Sequence, residues 1–257
     1  MKTRSLIPLF VAYLLPQLVL GQPDGGVDTT KNIKQEIIQY DLSFLWTKTQ
    51  HQNIHGFIGE EYQRFQIFFL SVKKDSSHPN TYHVNGKTKV KNNISSFKGD
   101  IIIKAAYGLK SFHVGVDETY KGQVKNEGEI IADYLFKEDP KQKFSGSFSG
   151  KMTSYWFIDL KNNIRYDTIR KFSDDYCNNQ FEGKWKSYDG KLVKKCNWGD
   201  FRIPDCQGLD NGAAEFSVSE KYINNGWGNY YQAYLTYEYD DAKSKEARKQ
   251  EEAEWWK

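Results

Sequence analysis

Thiols, imidazoles and neighbouring carboxylates are the side chains of this sequence that could do chemistry, and their spacing decides what kind. Cys177, Cys196 and Cys206 lack the Cys-x-x-Cys spacing of a structural zinc site or redox dithiol. Cys177 sits in Asp174-Asp175-Tyr176-Cys177-Asn178-Asn179, where nearby carboxylates oppose a thiolate and raise the thiol pKa. His51 and His55 are four residues apart and could share a helical face as metal ligands. Gln52 stands where a zinc-protease motif has its Glu, and no third ligand is in view, so solvated loop histidines are expected. Glu60-Glu61, Asp174-Asp175 and Asp240-Asp241 are adjacent only in sequence. That says nothing of the roughly 5–10 Å separation that glycoside hydrolysis needs. Gly86-Lys87-Thr88 ends like a phosphate-binding loop, but Thr81 occupies the place of its first glycine. Gly146-Ser147-Phe148-Ser149-Gly150 has Phe where a nucleophile elbow has Ser. No metal, cofactor or catalytic set is therefore expected, and the chain reads as a binding protein rather than an enzyme.

Aromatic side chains are the remaining candidates. Seventeen Tyr, sixteen Phe and seven Trp can stack on sugar rings or enclose an apolar ligand. Trp156, Trp185, Trp198 and Trp227 are the expected contacts for a saccharide, a peptide or a small apolar molecule. The first three fall on inward faces of expected strands, where core packing competes with binding. Trp227 differs: Asn224-Asn225-Gly226-Trp227-Gly228-Asn229 reads as a loop that exposes its ring. Two other functions fit such a chain, an envelope or glycan hydrolase and a protein-interaction or inhibitor module.

The elements that must position these residues are strands. Tyr62 to Val72, Thr81 to Val90, Gly99 to Tyr107, Glu129 to Glu138 and Met152 to Leu160 carry β-branched or aromatic residues, several in clean alternation. Ile130, Ala132, Tyr134 and Phe136 share one face, and Tyr231, Ala233, Leu235, Tyr237 and Tyr239 do so in an expected last strand. Asp189-Gly190 is the signal of a two-residue hairpin turn. Its register pairs Trp185 with Lys194 and Phe181 with Trp198, and turns Cys196 inward opposite Gly183. An aromatic-x-Gly pattern recurs at Phe57, Phe97, Tyr120, Phe144, Phe148 and Phe181, where glycine permits kinks and close backbone approach. These features predict an all-β fold over residues 41–240: a single antiparallel barrel, calycin- or lipocalin-like, or a β-sandwich. Residues 22–40 read as a mobile leader and residues 241–257 as a charged, solvated helix.

Lys2 and Arg4, followed by an apolar run and Val19-Leu20-Gly21, form a cleavable signal peptide over residues 1–21. The run is too short to span a bilayer, so no membrane span is expected after cleavage and the location is periplasmic or extracellular. Cleavage leaves 236 residues and takes the formal charge from +3 to +1, which gives no electrostatic case for nucleic acid. An outer-membrane barrel is disfavoured by Lys on both faces of several strands and by the charged C-terminal segment. In an oxidising compartment the three cysteines allow one disulfide. The expected pair is Cys196 with Cys206, bridged by a fold-back at Gly199 and Pro204, with Cys177 the other partner open to Cys206. Two resemblances accompany this reading. Tyr62-Gln63-Arg64-Phe65-Gln66-Ile67, Tyr82-His83-Val84-Asn85-Gly86-Lys87, Phe97-Lys98-Gly99, Phe148-Ser149-Gly150-Lys151 and Trp156-Phe157-Ile158-Asp159 resemble secreted β-rich proteins of Bacteroidota over about residues 55–170. That group implies no activity. Gly183-Lys184-Trp185 is similar to the Gly-x-Trp of lipocalin-like barrels, although it falls late in this chain.

Overall fold

The computed structural model describes residues 26–212 and 215–257; the expected signal peptide lies outside them. Strands β1 (Ile54–Ile58), β2 (Gln63–Lys74), β3 (Thr81–Val90), β4 (Asn93–Gly108), β5 (Val124–Glu138), β6 (Gly146–Asp159), β7 (Ile164–Tyr166), β8 (Asn178–Ser187) and β9 (Val193–Asp200) make one antiparallel sheet. Eight of them close into an up-and-down barrel, with β5 paired to β6, β6 to β8, and β9 back to β1. β7 lies outside the ring, paired to β6 at Trp156–Ile158 beyond the end of β8. Closure decides the question of barrel or sandwich, because every strand of the ring has two partners and no open edge remains.

Alternation fills the barrel. Phe65, Ile67, Tyr82, Val84, Phe97, Ile101, Tyr134, Phe136, Phe148, Phe181 and Trp198 are buried in one cluster, as period-2 placement on a closed sheet demands. Phe181 and Trp198 stack at 4.6 Å between ring centres. The hairpin register is the expected one, with Phe181 opposite Trp198 and Trp185 opposite Lys194. The turn is wider than expected: Ser187 N–H bonds Leu192 O, and among the turn residues only Gly190 takes a positive φ, +75°. Two aromatic-x-Gly glycines face each other where β6 and β8 pinch together. A Cβ at Gly183 would lie 2.3 Å from Ser149 O and 2.5 Å from Tyr134 Oη.

The described segments before β1 and after β9 both pack on the barrel. Residues 26–40, expected as a mobile leader, instead begin a segment that caps one end. Ile33, Ile37, Ile38, Leu42, Leu45 and Trp46 are buried there, around the short helix α1 (Lys34–Ile37). Trp46 Nε1 donates to Ser154 Oγ at 2.9 Å, and Lys74 Nζ donates to Ile38 O and Tyr40 O at 2.5 and 2.7 Å. Apolar residues at 33, 37 and 38 could have signalled this, since that spacing makes one helical face.

The described residues of 201–212 and 215–257 wrap the outside of β1 and β2. Phe57 faces outward and joins Ile203, Cys206, Leu209, Phe216, Val218, Trp227 and Tyr230 in a second core. The expected last strand, Tyr231 to Tyr239, is instead helix α2 (Gly228–Tyr234) followed by a turn. Its aromatics satisfy both periods: Tyr230 and Ala233 are buried three apart, as on a helix, and Tyr237 is fully exposed. The charged helix is present as α3 (Ala242–Glu251) with an Asp241 N-cap. One face of it is docked rather than solvated. Arg64 of β2 makes a buried bidentate pair with Glu251 at 2.8 and 2.5 Å, and Phe68 stacks on Trp256 at 3.7 Å. No helix among the described residues is long and apolar enough to cross a membrane.

Candidate functional site

The barrel end opposite the N-terminal cap is open. Loops joining β1 to β2, β3 to β4, β5 to β6 and β8 to β9 surround it, and a cavity of about 450 Å³ opens between them. Ile58, Val90, Phe148, Trp185, Leu192 and Phe144 give it apolar walls. Phe148 and Trp185 are buried at its base, whereas Leu192 and Phe144 stand exposed at the rim.

Gln63, Thr88, Lys91, Asn93 and Lys194 also line the cavity, and its buried carboxylate is Glu138. It ends β5 in the same inward phase as Tyr134 and Phe136. Thr88 Oγ1 donates to its Oε1 at 2.6 Å, and Gly146 N and Trp185 Nε1 donate to its Oε2 at 2.9 and 3.0 Å. Burial raises its pKa, against the opposing pull of the bonds from Thr88, Trp185 and Gly146. Oε2 is saturated, while Oε1 retains acceptor capacity for a ligand donor. Sequence reasoning missed Glu138, though the signal was present: an acid continuing the inward series 130, 132, 134, 136 of an alternating strand.

The expected tryptophan set is divided by the fold. Trp185 lines the cavity. Trp198 and Trp156 lie deeper in the barrel, 2% and 0% exposed. Trp227 is also 0% exposed, so the exposed loop ring expected from its flanking glycines is not formed. It ends a kinked turn, Ile223–Trp227, in which Gly226 takes φ +90°. Its ring packs outside β1 and β2, donates from Nε1 to Tyr62 O at 2.9 Å, and lies under the Arg64 guanidinium. The flanking glycines thus serve burial of the ring rather than access to it.

The cysteine pairing is likewise corrected. Cys177, Cys196 and Cys206 are all free thiols. Cys196 points into the barrel core and Cys206 belongs to the outer core, so the sheet itself stands between them. Burial first, and then Asp175, lifts the Cys177 thiol to about 11. The two histidines are not loop residues in solvent. His51 Nε2 meets Glu251 O at 3.0 Å. His55 is buried against Phe216 and Tyr230, and desolvation with the nearby Arg64 charge depresses its pKa to about 3. Both face the C-terminal wrap.

Two buried polar clusters lie away from the mouth. Asp200, inside the capped end, accepts from Thr49 Oγ1, Tyr166 Oη and Asn179 Nδ2 at 2.7, 2.8 and 2.6 Å. Burial drives its pKa up to about 7, and the adjoining cavity of about 30 Å³ is water-sized. Glu127 accepts from His113 N and meets His113 Nδ1, at 2.7 and 2.6 Å, with Asp167 beside it. Burial and the Glu127 charge raise Asp167, and the carboxylate of Glu127 raises His113. Neither His113 nor Glu127 lines any cavity described here, and the cluster pins the 109–123 loop to β5. A shallow cleft of about 380 Å³ near the cap contains Tyr120, Phe157, Tyr166, Lys48 and Arg165. Phe157 and Tyr166 are only 8% and 5% exposed, so these two rings present little surface to a ligand. No group of three or more metal-ligating side chains occurs among the described residues. No protein-family model matches the chain, and no curated protein or solved structure matches it either.

Proposed function

We propose that this is an exported binding protein that takes a small, predominantly apolar molecule into the open mouth of its barrel. The observation that carries the reading is the mouth cavity. Its volume of about 450 Å³ falls within the range of small-molecule sites, and it couples apolar walls to a few polar groups, the buried carboxylate of Glu138 among them, as such sites do. Glu138 Oε1 selects a ligand with a hydrogen-bond donor, an alcohol or an amine, at the end that reaches the floor. A carboxylate there would face a carboxylate.

N-phenylnaphthylamine, an apolar fluorophore with one N–H donor, tests this directly. Saturable one-to-one enhancement is expected. Leu192→Trp fills the exposed entrance without touching the core and should weaken binding about tenfold or more. Trp185→Ala, which removes part of the floor, should do the same. Binding indifferent to both substitutions would place the probe elsewhere and end the proposal.

A further inference from the structure

The rim of the mouth departs from ordinary surface. Phe144 is 82% exposed, Val193 58%, Leu192 53% and Tyr188 47%. These residues come from two loops that are neighbours on the ring through β6 and β8. Exposed apolar residues clustered at one edge mark an interaction site, whereas scattered ones do not.

Phe144 is held outward rather than left outward. Its backbone lies in the left-handed region, φ +58°, which costs a non-glycine residue energy. Its loop is fixed at both ends. Asp139 N bonds Ser96 O at 2.9 Å, Ser96 N bonds Gln142 Oε1 at 2.8 Å, and Gly146 N bonds Glu138 at 2.9 Å. A strained, rigidly mounted, solvent-facing phenyl ring makes sense when something apolar covers it.

The charge around these tips indicates what that is. Lys91, Lys141, Lys143, Lys191 and Lys194 are exposed around the same opening. None forms an ion pair with a carboxylate among the described residues. The acids of the same end are fewer at these tips: Asp139 and Asp189 are exposed and accept locally from Lys141 N and Lys191 N, and Glu60 and Glu61 stand exposed on the β1–β2 loop, so the basic excess lies on the β3–β4, β5–β6 and β8–β9 tips, five lysines to two aspartates. The capped end also exposes Phe112, Leu160 and Phe172, but cations there are paired with carboxylates, as in Lys121–Glu118, Arg165–Asp159 and Arg170–Asp175. Apolar tips flanked by unpaired lysines on three of the four loops match a negatively charged bilayer surface, where the tips enter the acyl boundary and the lysines meet the headgroups.

We infer that the barrel docks mouth-down on anionic lipid bilayers through Phe144, Leu192 and Val193 and the surrounding lysines, so that the ligand passes between membrane and cavity without crossing water. This deepens the ligand-binding reading and rests on it for the identity of the cargo, but the docking itself is tested separately. The full chain is sedimented with vesicles of phosphatidylcholine, alone or mixed with phosphatidylglycerol. Association with the mixed vesicles should exceed that with neutral ones by about tenfold or more at low salt and fall as salt rises. Val193→Ser combined with Lys143→Glu and Lys191→Glu touches no residue of the cavity lining. It should abolish sedimentation while leaving N-phenylnaphthylamine binding in vesicle-free solution unchanged. Equal association with both vesicle types, or association that survives the triple substitution, overturns the docking inference. So does self-association of the chain through this rim without vesicles. Loss of probe binding in Leu192→Trp with docking intact concerns the cavity alone.

Discussion

Asp200→Asn should change how stability depends on pH more than it changes stability itself. In the folded chain burial holds the Asp200 carboxyl up to about 7, against an ordinary 3.8. A raised folded pKa means that the native state binds the extra proton, so the contribution is fully present at low pH and lost as pH rises through the folded pKa. Between pH 5 and pH 8 that loss is on the order of 2.5 kcal/mol. His55 acts in the opposite sense. Its pKa falls from 6.5 to about 3, so the native state refuses a proton that the unfolded chain accepts, and about 2 kcal/mol is regained over the same interval. The two side chains face opposite sides of one ladder, since His55 pairs with Gly199 and Ile54 with Asp200. Their contributions nearly cancel in the wild type. Urea unfolding at pH 5 and pH 8, at fixed ionic strength, separates them. Relative to wild type, Asp200→Asn should gain about 2.5 kcal/mol on going from pH 5 to pH 8, and His55→Phe should lose about 2 kcal/mol. Any constant cost of the altered hydrogen bonds to Thr49, Tyr166 and Asn179 drops out of this difference. An Asp200→Asn profile parallel to wild type would mean that the carboxyl is ionised throughout, and the argument from burial would be refuted.

Trp227→Ala removes a ring that is 0% exposed and should cost about 3–5 kcal/mol, read as a large fall in melting temperature. A change within about 0.5 kcal/mol, normal for surface positions, would show that the outer core does not depend on it. On the proposed binding mode, Glu138→Gln should weaken binding of an amine that donates to Oε1. In the wild type, dodecylamine affinity should weaken as pH falls through the raised pKa of Glu138, because protonation discharges the carboxylate. On the order of tenfold is expected for one charge-assisted hydrogen bond. A pH-independent affinity equal in both proteins would remove Glu138 from the site.

The barrel itself was legible because a half-buried strand shows its phase residue by residue. Ile130, Ala132, Tyr134 and Phe136 announced both the element and its inward face, and the 181–198 hairpin came out in register although its turn did not. The C-terminal wrap was illegible for a physical reason. Tyr230, Ala233 and Tyr234 are spaced for a helix, whereas Tyr231, Ala233 and Leu235 are spaced for a strand, and only the tertiary partner Phe57 decides between them. Trp227 misled for a related reason. Glycines beside a large ring permit an unusual backbone, but they do not say whether the ring then turns to solvent or to Arg64. The mouth was half visible, through Trp185. Glu138 needed the closure of β5 on β6 to bring Thr88, Gly146 and Trp185 to one carboxylate.

The seam between β1 and β9 has a consequence for the order of assembly. Every other junction of the ring joins strands that are close in sequence, whereas this one brings Ile54 to Asp200, and the outer wrap beside it is pinned to β2 by Arg64 and Glu251. During synthesis the meander can form as a growing open sheet, but it cannot become a ring before residue 200 is available, nor be locked before residue 251. Until then it carries two unpaired edges and the bare outer side chains Phe57 and Phe68, the kind of surface that recruits foreign strands. A chain cut anywhere between 200 and 251 should therefore retain all its strands and still be prone to aggregate.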